Sequence, residues 1–87
     1  MDRQHVTQAL LSYVRENFLD GDAEGELDER TPLLEWGILT SMNTAILLTH
    51  IRESFGAPVP PDRINAGNFR DIRSIADLVL DLTPAGR

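Results

Sequence analysis

Few groups in this chain of 87 residues could do chemistry, and the one in an unusual setting is Ser41. It stands beside Thr40, between the apolar approach Trp36-Gly37-Ile38-Leu39 and a long patterned run that ends at Phe55. A serine hydroxyl acts as a nucleophile when a base lies beside it; otherwise another enzyme can esterify it. The histidines are His5 and His50, and no pair of carboxylates joins them at metal-ligand spacing. If the run after Ser41 is helical, His50 lies roughly 13 Å further along the axis and nearly on the opposite side, so a Ser41–His50 dyad cannot form. Two readings of Ser41 stay open. Serine at a helix start commonly caps free backbone N–H groups. Alternatively it carries a covalent phosphate ester over the positive end of the helix dipole, with Thr40 supplying the cap.

Composition narrows the partners. A chain of this length forms one domain with a single modest core and no cleft between lobes. The absence of cysteine excludes disulfides, thiolate metal sites and a cysteine nucleophile, and favours a reducing compartment. The formal net charge of −6 repels nucleic acid at long range. No apolar run is long enough for a bilayer, and the N-terminal stretch lacks the pattern of a signal peptide. A cytoplasmic monomer with neither nucleic-acid nor membrane partners is expected.

The elements that must position Ser41 follow from periodicity. A first helix is expected over residues 2–19, with Val6, Leu10, Tyr13, Val14 and Asn17 on one stripe, widened by Leu11 and Phe18. Residues 20–30 read as a solvated acidic loop. Asp20, Asp22, Glu24 and Gly25 mimic the opening of a calcium-binding loop, but Thr31 occupies the twelfth place, where a bidentate Glu is needed. Thr31 to Trp36 reads as a short turn capped by Thr31 and stopped by Gly37, with Leu33, Leu34 and Trp36 as anchors to the core.

The second helix is expected over 41–55, closed by Gly56. Thr44, Leu47, Leu48, Ile51 and Phe55 form its core side, whereas Met42, Ala45, Ile46 and Thr49 form a weakly apolar strip facing solvent, with His50 facing solvent or an interface. The prolines of Ala57 to Asn65 impose an extended crossing. A short third helix is expected over 65–69, with Ile64 and Phe69 pointing inward. The last helix is expected over 74–82, opened by a Ser74–Asp77 capping box, and 83–87 form a loose tail. The resulting architecture is all-α, a small antiparallel four-helix bundle of three long helices and one short, with a long first loop.

The run GILTSMNTAILLTHIRESFG resembles the modification site and following helix of acyl and peptidyl carrier proteins, in which an Asp-Ser-Leu triplet opens the helix. Gly-Ile-Leu ahead of the triplet and Met42 after it look most like stand-alone aminoacyl carriers. The long first helix, the acidic loop with TPLLEWG, the proline-containing crossing and the ending NFRDIRSIADLV extend the resemblance over nearly the whole chain. The resemblance implies a 4′-phosphopantetheine arm on Ser41, holding an acyl or aminoacyl group as a thioester, on a carrier with no catalytic activity of its own. It implies a phosphopantetheinyl transferase, an adenylating or acyl-loading enzyme, and an acyltransferase or synthase that accepts the cargo. Thr40, Met42, Ala45, Ile46 and Thr49 would meet these partners. Thr40 departs from the family's Asp, which bears on how the transferase docks. Few acids lie on the exposed strip, which favours specialised polyketide or nonribosomal peptide metabolism over general fatty acid synthesis. A non-covalent helical docking domain, with Ser41 only a cap, is the alternative.

Overall fold

The computed structural model describes residues 2–19 and 27–83. Three α-helices, α1 (Arg3–Phe18), α2 (Ser41–Phe55) and α3 (Ile72–Leu82), pack with a single 3-10 turn over Pro61–Arg63, and no strand occurs among the described residues. The expected all-helical bundle is therefore present, with three α-helices in place of four. Asp20, Asp22, Glu24 and Gly25, on which the calcium-loop comparison rests, lie outside the described residues.

Each helix opens with the same device. The side chain just before the first helical residue accepts a hydrogen bond from the backbone N–H three residues on: Asp2 from His5, Thr40 from Asn43 and Asp71 from Ser74. Such a cap satisfies one of the donors a helix start leaves free and contributes about 1 kcal/mol. The expected Ser74–Asp77 capping box is thus displaced: α3 starts two residues earlier, and Ser74 donates to the cap instead of forming it. At the far end of α2, Gly56 adopts the left-handed conformation (φ 64°) and its N–H returns to the Arg52 carbonyl. Thr83 caps the C-terminus of α3 and is buried, so the loose tail does not begin there.

The core draws on all three helices. Val6, Leu10 and Val14 of α1, Leu47 and Ile51 of α2, and Ile72, Ile75, Leu78 and Val79 of α3 are almost wholly excluded from solvent. Full burial of each such side chain stabilises the fold by roughly 1.5–3 kcal/mol. Asn17, expected on the buried stripe of α1, is exposed and donates its side-chain amide to the Tyr13 carbonyl, 2.9 Å away. α1 packs chiefly against α3. The Tyr13 and His50 rings stack across α1 and α2.

The connections are anchored by residues the pattern did not single out. Leu27, in the acidic stretch, is buried, as are Ile38 and Leu39 just before the Ser41 turn. Leu33 is fully buried, as expected, but Leu34 and Trp36 face solvent. No α-helix forms over 65–69. The double proline Pro60-Pro61 presets a first turn upstream, and Phe69 N–H closes a separate turn onto the Asn65 carbonyl at 3.1 Å. Phe69 points inward, but Ile64, one residue beyond the 3-10 turn, is exposed.

Candidate functional site around Ser41

Ser41 is the first residue of α2, exposed, and its hydroxyl makes no hydrogen bond with any described residue. The cap comes from Thr40, whose Oγ1 accepts from Asn43 N–H at 3.1 Å while its carbonyl accepts from Thr44 N–H at 2.8 Å. The competition between capping and presentation is thereby divided between neighbours. Thr40 closes the helix, and the Ser41 oxygen is left to solvent.

The turn that delivers Ser41 is fixed from behind. Leu33 N–H donates to the Arg70 carbonyl at 2.8 Å, and the Leu33 carbonyl accepts from both Ile38 N–H (2.9 Å) and Leu39 N–H (3.2 Å). This loop doubles back through Gly37, whose φ of 73° lies in the left-handed region that glycine adopts at little cost. The Asn43 side-chain amide then donates to the Ile38 carbonyl at 2.8 Å, tying the first turn of α2 to the anchored loop.

Beside this fixed serine, Leu34, Leu39, Ala45, Leu48 and Ile64 make a largely apolar wall. The large hydrophobic side chains exposed among the described residues are Leu34, Trp36, Met42, Ile46 and Ile64. They come from the connection before Ser41, from α2 and from the crossing before α3. An open cleft of about 410 Å³ has Ser41 in its wall, together with Leu34, Leu39, Thr40, Thr44, Ala45, Leu48 and Ile64. A second cleft of about 270 Å³ shares Leu34, Thr44 and Ile64 and extends to Asn65, Ala66 and Phe69. Neither wall contains a charged residue or a histidine.

Met42, Ala45, Ile46 and Thr49 are all exposed on α2, as the helical wheel predicts, with Met42 the most open at 72%. Thr49 Oγ1 returns to the Ala45 carbonyl at 3.3 Å. His50 is half-buried and engaged elsewhere: its ring stacks on Tyr13, and Nδ1 lies 3.1 Å from Ser54 Oγ. Burial lowers the His50 pKa from its ordinary value, with the Glu53 charge acting in the opposite sense. His5 sits exposed in the first turn of α1. Among the described residues no group of three or more His, Asp and Glu could hold a metal ion, and no helix is long and apolar enough to cross a membrane.

Leu34, Ile64 and Asn43 are the site residues that sequence reasoning missed. Leu34 and Ile64, like Trp36, were expected to point inward, and a single turn of chain has no periodicity that could have corrected this. Asn43 could have been found from its place three residues after Thr40, where a side chain at the helix start can reach back.

The chain matches no family model. It is 31% identical over 70 residues, 80% of this chain and 79% of the relative, to a protein described as "Probable acyl carrier protein PigG" from Serratia sp. (strain ATCC 39006). Its fold also matches, with TM-score 0.76 and 35% identity, a chain in a structure described as "Crystal structure of FAD-dependent dehydrogenase"; the match covers 82% of this chain and 99% of that one. A free serine at the head of the second helix, a capped helical bundle behind it and a relative of matching length agree: the chain belongs to the acyl carrier protein family.

Proposed function

We propose that Ser41 is the attachment point of a 4′-phosphopantetheine arm, and that the protein shuttles an acyl or aminoacyl thioester between biosynthetic enzymes without catalysing a reaction itself. The observation that carries this reading is the division of labour at the start of α2, where Thr40 caps and the Ser41 hydroxyl is exposed and bonded to no described residue. The residues present fit the group. Ser41 Oγ would hold the phosphodiester at the positive end of α2, near N–H groups that a helix start leaves unpaired. The terminal thiol of the arm would supply the thioester chemistry. The uncharged cleft beside Ser41 offers apolar contact and no carboxylate to repel the phosphate.

Partners would read the exposed apolar side chains around the serine. A phosphopantetheinyl transferase, an adenylating or acyl-loading enzyme and an accepting acyltransferase or synthase would each dock there, through Met42, Ala45, Ile46 and Thr49 and through the cap residue Thr40. The scarcity of acids on this face supports a place in specialised polyketide or nonribosomal peptide metabolism. The likeness to a chain in a flavin-dehydrogenase structure supports a flavin enzyme among the partners. That chain is spanned almost end to end by this small domain, a size suited to a carrier and too small for a flavin cleft of its own.

The test is the intact mass after incubation with coenzyme A and a promiscuous phosphopantetheinyl transferase. The wild type should gain one phosphopantetheine and Ser41→Ala none. No gain with several transferases would leave a non-covalent docking domain as the better reading.

A further inference from the structure

We infer that Asn43 is a positioning residue for the modification of Ser41, an inference that rests on the carrier reading above. Asn43 donates two hydrogen bonds, both back along the chain. Its backbone N–H donates to Thr40 Oγ1 at 3.1 Å, closing the cap, and its side-chain amide donates to the Ile38 carbonyl at 2.8 Å. Ser41 lies between Asn43 and both of these partners. Behind Ile38 the bonds continue through Leu33 to the Arg70 carbonyl, just ahead of α3. Asn43 is the side-chain link by which this anchored loop holds the first turn of α2.

The reaction it serves transfers phosphopantetheine from coenzyme A. The bond between Ser41 Oγ and the phosphorus of the pantetheine phosphate forms, the pyrophosphate bond of coenzyme A breaks, the nucleotide portion leaves and the serine proton passes to the transferase. In-line attack requires Oγ to be held in one orientation, and a small loss of alignment at the nucleophile costs rate even where binding is intact. Asn43 does not touch the reacting atoms. It restricts the turn that carries them.

The same pair of bonds recurs away from the serine and supplies a control. Asn68 N–H donates to Asn65 Oδ1 at 2.9 Å, and its side-chain amide donates to the Arg63 carbonyl at 2.8 Å. Three variants test the assignment through steady-state transfer kinetics and thermal melting. Asn43→Ala removes the side-chain bond without adding charge. Asn43→Asp removes the donor, yet places an acid in the first turn of α2, where the helix dipole favours it. Asn68→Ala removes the equivalent bond elsewhere.

Both Asn43 variants should lower kcat for transfer roughly fivefold or more, the scale of one hydrogen bond's net contribution, with KM for the carrier within about twofold. Asn43→Asp should do so without a lower melting temperature, and Asn68→Ala should leave kcat unchanged. Wild-type kcat in Asn43→Ala overturns the role, as does an equal loss in Asn68→Ala. A loss confined to Asn43→Asp also overturns it, since charge would then be the cause. If the wild type gains no mass, the carrier reading falls and this role with it; if wild type and variants gain mass at one rate, this role falls alone.

Discussion

The Tyr13 ring lies against the His50 imidazole with centroids 3.7 Å apart and planes 13° from parallel, joining α1 to α2 near the end remote from Ser41. Phe18 and Phe55 meet this pair edge-on, at 5.9 Å from Tyr13 and 6.0 Å from His50. An imidazole in such a stack is favoured neutral, because burial disfavours the charged form more than Glu53 supports it.

This contact makes stability depend on pH. Since the folded-state pKa of His50 is lowered, the unfolded chain binds the proton more readily. The contribution is present above the unfolded value of about 6.5 and is lost as pH falls through that value toward the folded one. The melting temperature should therefore drop between pH 7.5 and pH 5.5. In His50→Phe, which keeps a ring against Tyr13 but cannot titrate, the drop should largely disappear; an identical slope in both proteins would show that another group is responsible.

Thr40 combines two duties that substitutions can separate. Thr40→Val keeps the shape but removes the Oγ1 acceptor of Asn43 N–H, and should cost about 1 kcal/mol of stability in denaturant titrations. Thr40→Asp restores a competent cap and adds the charge found in other family members at this place. It should leave the fold intact and raise the rate of phosphopantetheine transfer by a generic transferase, read as mass gain against time. An unchanged rate would mean that the residue before the serine does not govern recognition.

Asp71 is the buried counterpart of Thr40 at the start of α3. Burial pushes its carboxyl upward, but hydrogen bonds from Ser74 and the neighbouring Arg70 guanidinium outweigh this and hold it below the ordinary carboxylate value. Its stabilising effect is thus complete above the unfolded pKa of about 3.9 and fades as pH falls through the lower folded value. Asp71→Ala should cost about 1 kcal/mol at pH 7, lowering the melting temperature by roughly 4–8 °C. The difference from wild type should shrink on acidification below pH 4; a gap that persists undiminished at pH 2.5 would contradict the assignment.

The proposed docking through Met42 and Ile46 would have a distinct signature. Both are exposed, so Met42→Glu and Ile46→Glu should leave the melting temperature nearly unchanged. Cargo transfer from the loaded carrier to its accepting enzyme should fall about tenfold or more if these side chains fill partner pockets. Because such a contact would be apolar, wild-type transfer should change little between low and moderate salt. A steep decline with salt would instead locate recognition in the charged residues.

Long helices could be read from the sequence, and isolated turns could not. α2 has enough length for its period to separate buried Leu47 and Ile51 from exposed Met42 and Ile46, and Gly56 marks its end without ambiguity. Leu34, Trp36 and Ile64 sit in single turns, where direction depends on how the flanking chain is tied down; a hydrophobic residue there is ordinarily assigned to the core. Leu27 shows the converse, a lone apolar side chain in an acidic stretch that nevertheless enters the core. Ser74 and Asp77 carried the composition of a helix start, but Asp71, three residues earlier, had the same chemistry and took the role. Ser41 stood out from its place alone. That Thr40 takes the cap while the Ser41 hydroxyl bonds to no described residue is displayed only by the three-dimensional arrangement.

Trp36 is the single tryptophan of the chain, 55% exposed, and it belongs to the connection that leads into the Ser41 turn. The indole therefore acts as a built-in optical probe. Its emission should shift to shorter wavelength if a partner covers Trp36 and should respond little to events confined to the Tyr13–His50 stack, so docking beside this connection could be followed in real time on unlabelled protein.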